Sequence, residues 1–214
     1  KFPHDSRGAY FFCDPTIHVV RRAFVEYPDG KLMLRKAEAE DKEFMRSSDF
    51  NSRFINTTTG PDGCLYVTDM YRGIIQDAAW FNEGNREFAR RTGVNKNVQM
   101  GRIWRIRHKD HEPYGEKPRM LEESTEELVR HLQNPIGWWR DTAQKLILLR
   151  SDRKKAIPLL EGLFRFTQSP LPRMHALRTL DGMNALTTEI KREALADRSP
   201  VLRRAMVQII ESAL

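Results

Sequence analysis

The chain has 214 residues, of which 40% are apolar and 30% charged, with a formal net charge of +7. That length allows one large or two small domains, and no run approaches the roughly 20 apolar residues of a membrane span. The positive charge is spread evenly, as +4 over residues 1–110 and +3 over 111–214, so it forms no basic arm or face of the kind that binds nucleic acid. No nucleic-acid partner and no transmembrane segment are expected.

The first half has the signals of β-structure. Gly8 to Cys13 is a short aromatic-rich strand closed by Asp14-Pro15, where proline fixes φ and removes a donor. A second extended run, His18 to Tyr27, leads into a Tyr27-Pro28-Asp29-Gly30 turn, and Lys31 to Leu34 pairs back across it. Phe54 to Thr59 enters Gly60-Pro61-Asp62-Gly63 and leaves as Cys64-Leu65-Tyr66-Val67-Thr68-Asp69, a β-hairpin with the residues its turn demands. Residues 77–100 are too long for an ordinary connection. They contain Trp80-Phe81 and a short helix centred on Arg86 to Arg91. Gly101 to Arg107 then reads as an edge strand with one wet face, because Ile103, Trp104 and Ile106 sit among arginines.

Residues 111–121, with Pro113, Gly115 and Pro118, interrupt this period and serve as a linker. From about Glu122 the apolar period changes from two to nearly four. Helices are predicted over 125–133, 138–150, 154–167, 172–182, 187–197 and 200–213. Ser124-Thr125-Glu126-Glu127 supplies the first cap, and prolines fall mostly near helix starts. Arg140, Arg173 and Arg203 recur 33 and 30 residues apart, each after a polar cap and a proline. Such a period indicates a short solenoid of HEAT type, with Leu146, Leu149, Leu177, Leu180, Val207 and Ile210 on facing helices. An irregular helical bundle is the alternative. Trp138-Trp139 reads as a packing anchor.

Cys13 and Cys64 have no metal-ligand spacing and admit either one bridge or two free thiols. His108, His111, His131 and His175 also lack metal spacing and read as solvated or packed. Lys1-Phe2-Pro3 carries no initiator Met and no export signal, and Glu211 to Leu214 falls inside an amphipathic pattern. The expectation is therefore a piece of a longer protein, inactive alone.

Four ordered motifs carry a resemblance across nearly the whole chain: Gly60 to Asp69, Asp69 to Gln76, Gly101 to Ile106, and Gly137-Trp138-Trp139-Arg140-Asp141-Thr142-Ala143. They resemble the glucose/sorbosone dehydrogenase-like β-propellers, and more closely the large bacterial "membrane-bound dehydrogenase" proteins of planctomycetes, which run propeller, HEAT repeats and often cytochrome c. The resemblance implies a fold that is β then α: the C-terminal blades of a β-propeller (1–110, with a helical insertion at 77–100), the linker, and a HEAT-like α-solenoid of about three helix pairs (122–214). It implies export to the periplasm or cell envelope, and a parent using pyrroloquinoline quinone with a c-type haem in a downstream domain. Residues 1–214 contain no Cys-x-x-Cys-His to attach that haem.

Ligands of such a propeller would sit at its central channel, reached here by the turns Asp14–His18 and Asp69–Gly73. Arg53 lies where related glucose dehydrogenases place arginines against the quinone, since a planar guanidinium binds carboxylates bidentately. Ile55 stands where those enzymes have a second arginine. Arg53 is thus a cofactor-binding candidate, or else a surface ion pair with Asp49. His18 is a second candidate, as a polar contact in the channel or as a hydrogen-bonded loop histidine. Arg72 is the third, forming a polar rim with Asp69 and Tyr71, although Asp69 also reads as the cap of its own turn. The implied function is a sugar or alcohol dehydrogenase whose helical repeat contacts a protein partner. The alternative is a non-catalytic carbohydrate- or protein-binding scaffold.

Overall fold

The computed structural model describes residues 8–75, 79, 82–110, 112, 115 and 117–212. Trp80-Phe81, His111 and Pro113 lie outside the described residues. The chain divides into two compact units, Lys1–Tyr114 and Gly115–Leu214.

Unit 1 is built on two antiparallel sheets that follow chain order. The first holds β1 (Ala9–Asp14), β2 (Val19–Glu26) and β3 (Met33–Lys36), with the two-residue β4 (Met45–Arg46) also pairing with β2. β2 pairs antiparallel with the whole of β1, from Ala9 opposite Phe24 to Asp14 opposite Val19. The second sheet orders β5 (Phe54–Thr59), β6 (Leu65–Asp69) and β7 (Arg102–Ile106). A bulge between Phe54 and Asn56 shifts the β5–β6 register, which leaves Ile55 turned to solvent. Val20, Phe54, Leu65 and Val67 form the core between the sheets, with Phe11, Phe44 and Ile106 packed around them.

The insertion contributes one helix, α1 (Glu83–Thr92). Asn82 caps its start by accepting from the Asn85 N–H, and Gly93 ends it in the left-handed conformation that glycine tolerates best.

Unit 2 is helical: α2 (Thr125–His131), α3 (Gly137–Leu149), α4 (Ala156–Phe166), α5 (Pro170–Gly182), α6 (Thr188–Leu195) and α7 (Pro200–Glu211). α2 opens on a capping box in which Ser124 Oγ accepts from the Glu127 N–H and the Glu127 carboxylate accepts from the Ser124 N–H. Helices pack as successive pairs, α2 on α3, α4 on α5 and α6 on α7, while α3, α5 and α7 also touch in turn. Trp139, Leu128, Leu132, Leu160, Leu177 and Met206 are fully buried in one continuous core.

The apolar face differs from expectation at three positions. Leu149, Val207 and Ile210 are exposed, and Ile147, Met206 and Ile209 take the buried places. A helix turns about 100° per residue, so in leucine- and isoleucine-rich stretches a phase error of one or two positions exchanges buried for exposed.

Two of the three recurring arginines share a job. Arg140 Nη1 donates to Asn134 O at 2.6 Å and Arg203 Nη1 to Asp197 O at 2.7 Å. Each fastens the turn six residues upstream of it. Arg173 instead binds Phe164 O at 2.7 Å and forms a half-buried ion pair with Asp197, joining α5 to the turn that opens α7.

Candidate functional site

The site begins with strand alternation in β6. Its residues 65, 67 and 69 face inward, as Leu, Val and Asp. The same period that buries two aliphatic side chains therefore delivers the Asp69 carboxylate, with no exposed surface, to the end of the core. There it accepts five hydrogen bonds. Oδ1 takes the Arg53 and Tyr71 backbone N–H groups at 2.7 and 2.9 Å, and Oδ2 takes Ser52 Oγ (2.9 Å), Arg102 Nε (3.0 Å) and Trp104 Nε1 (3.1 Å). Burial pushes this carboxyl up, but the Arg53 N–H, Trp104 and Arg102 outweigh it and hold the group below its ordinary value. Asp69 caps its turn and anchors the loop at 51–53. It does not form an open rim.

Arg53 leaves that anchor with its guanidinium turned inward. Only 5% of the residue is exposed, so it is no surface partner of Asp49, which faces Arg102 instead. Its Nε donates to Arg72 O (3.1 Å), Nη1 to Pro15 O (2.8 Å) and Thr16 O (3.4 Å), and Nη2 to Gly73 O (2.6 Å). A guanidinium has five N–H groups, so these contacts leave one on Nη2. One side chain thus ties the loops 14–18 and 69–73 to the start of β5. Burial works against its charge and lowers its pKa.

His18 lies beside it, with Nδ1 2.6 Å from Ser52 O and Nε2 3.3 Å from Arg53 Nη1. A carbonyl only accepts, so Nδ1 carries the proton and Nε2 is left as the acceptor. His18 adopts a left-handed backbone with φ 60°, and Tyr71 on the facing loop another at φ 47°. Such residues are held at a cost of order 1–3 kcal/mol each and cluster at ligand sites.

These groups line a cavity of about 190 Å³. Arg53, His18 and Thr16 line it together with Phe50, Gly73 and Ile74, and α1 adds Asn85 and Phe88. The Phe50 and Phe88 rings meet edge to face at 5.2 Å, and the Arg53 guanidinium lies 5.0 Å from the Phe50 centroid. The turn that follows α1 packs closely on this lining at Gly73, where a Cβ would come within 2.5 Å of Val94.

Of the residues singled out from sequence, His18 and Arg53 thus meet in the cavity. Arg72 supplies only its carbonyl and its side chain is exposed. The Tyr71 ring stacks on Arg102, 4.0 Å from its guanidinium carbon. Ile55 is outside the lining. Phe50, Asn85 and Phe88 were missed. Asn85 and Phe88 lie inside the overlong insertion, which is their one sequence signal, and nothing in the sequence marks Phe50.

Elsewhere, Cys13 and Cys64 are free thiols. His175 is buried between Arg140 and Gln144, and His131 stacks on Trp139. Among the described residues, no group of three or more His, Cys, Asp and Glu side chains is arranged to hold a metal ion. No helix among them is long and apolar enough to cross a membrane.

Residues 1–110 match a domain of unknown function, DUF7133. The chain belongs to that family. The matched segment contains both sheets, α1 and every residue lining the cavity. Searches of curated proteins and of solved structures found no match.

Proposed function

We propose that this DUF7133 chain is part of an exported sugar- or alcohol-oxidising dehydrogenase-like protein of the planctomycete membrane-bound type. In this reading unit 1 supplies blades of a β-propeller and one wall of its ligand channel, and unit 2 is a HEAT-type repeat that docks a protein partner. Two sheets running in chain order support the first part. Successive helix pairs with arginine-fastened turns support the second.

The observation that carries the reading is the convergence of three loops and α1 on a cavity walled by Arg53, His18 and two phenylalanines. Aromatic rings beside hydrogen-bonding groups suit a polyhydroxylated ring, which has apolar C–H faces and polar edges. Of the two ligands that the dehydrogenase resemblance suggests, the sugar fits better than the quinone. The cavity is below the roughly 300–1,000 Å³ of sites for drug-sized ligands, and Arg53 has one N–H left rather than a free fork. No quinone-dependent step is therefore assigned to these residues. A downstream haem domain and the periplasmic location rest on the family resemblance.

The test is dye-linked oxidation of a panel of aldoses and alcohols by the full-length protein, with and without added pyrroloquinoline quinone and calcium. Turnover is expected. Its absence across the panel, together with no sugar binding, overturns the reading. A second reading, a non-catalytic carbohydrate- or protein-binding scaffold, is favoured by the commitment of Arg53 to backbone carbonyls. Saturable sugar binding without turnover would select it.

A further inference from the structure

The cavity contains a charge that its protein surroundings do not balance. Arg53 is nineteen-twentieths buried, and among the described residues no carboxylate pairs with it. Asp69 receives Arg102 and Asp49 faces the same arginine. The carbonyls of Pro15, Thr16, Arg72 and Gly73 solvate the Arg53 N–H groups but carry no net charge. An uncompensated buried cation favours an anion in the adjoining space. That space has the volume of about six liquid waters.

We propose that the cavity selects a sugar acid, a small polyhydroxylated ring bearing one carboxylate, over the corresponding neutral sugar. This rests on the reading of the cavity as a sugar site and names the substrate class. The carboxylate would take the remaining Arg53 Nη2 N–H and neutralise the guanidinium. Ring hydroxyls would donate to His18 Nε2, displacing its long contact with Arg53, and pair with the side-chain amide of Asn85. The apolar ring face would lie against Phe50 and Phe88. One buried cation matches one carboxylate, so a dianion or trianion would leave charge unpaired in the cavity.

The experiment is isothermal titration calorimetry of the full chain with D-glucuronate and D-glucose, which share a ring and differ in the carboxylate. Glucuronate should bind at least tenfold more tightly. Replacing Arg53 would undo loop anchoring as well as charge, so the diagnostic variant is Asn85→Asp. It places a carboxylate on the solvent-accessible helix at the cavity wall, in a first turn that welcomes an acid. The glucuronate-to-glucose preference should then fall to within twofold of unity. If glucose binds as tightly as glucuronate, the inference fails and the sugar-site reading stands. If neither binds, both fail. An unchanged preference in Asn85→Asp would also overturn the inference, because the carboxylate would then sit away from this cavity.

Discussion

Asp69 shows how much one side chain can organise. Its carboxylate joins β6 to the loop at 51–53, to the next turn and to β7 through five donors. Asp69→Asn keeps the shape but removes the charge and turns one acceptor into a donor facing donors. Hydrogen bonds to a charged group contribute about 1.5–3 kcal/mol, so unit 1 should lose about 2–3 kcal/mol in denaturant unfolding. The half-exposed Arg102 softens the effect by reaching solvent. The pH dependence has a definite sign. A carboxyl held below its ordinary value of 3.8 gives stability that is complete above that value and lost as pH falls through the folded-state value. The variant should therefore show a flatter stability curve below about pH 4 than the parent. Equal slopes would mean that another carboxylate governs acid unfolding. Sequence alone left two roles open for Asp69, rim and cap. The choice depends on Arg102 and Trp104, which lie more than 30 residues away and are brought together only by sheet pairing.

At the level of elements, the helices of unit 2 were legible because caps, prolines and apolar period agree. Ser124 and Glu127 announce α2, and Ser-Pro opens both α5 and α7. β4 was not legible, since two residues, Met45 and Arg46, form a strand only by pairing with Val19 and Val20. The role of α1 was also hidden. Its helical character can be read from Asn82, Gly93 and the charges between them, but the contact of Phe88 with Phe50 comes from a fold that spans the insertion. Within unit 2, α5 carries a buried titratable group. Burial, and then Arg140, push the His175 imidazole below its ordinary value of 6.5, while Asp141 at 4.0 Å opposes them. The unfolded chain then binds more protons than the folded one below that value. Unit 2 should be insensitive to this group well above pH 6.5 and lose stability as pH falls through 6.5 towards the lower folded-state value. Thermal melts of a His175→Gln variant should lack that slope. An identical slope in parent and variant would assign the proton uptake elsewhere.

For the whole molecule, the two cores have no residue in common. The sheet core draws on Val20, Phe54, Leu65 and Val67, and the helical core runs from Met120 to Ile209. Residues 115–214 expressed alone should therefore fold to a cooperatively melting helical protein. Trp139→Ala should destabilise that fragment by about 3–5 kcal/mol, because the side chain is fully buried. A fragment with helical circular dichroism but no cooperative transition would show that the helical core needs unit 1. The β-then-α order was legible from the change in apolar period near residue 122.

The position of Arg53 has a consequence for genetics. Its donors secure the loops at 14–18 and 69–73 whether or not a ligand is present. A deep mutational survey scored on abundance would mark residue 53 as intolerant in a binding protein and in a purely structural one alike. Intolerance there carries no information about recognition. Asn85 and Phe88 stand on a helix that reaches the same cavity from outside that anchoring network. Selection at those two positions, compared between abundance and activity screens, is where recognition would leave a separate trace.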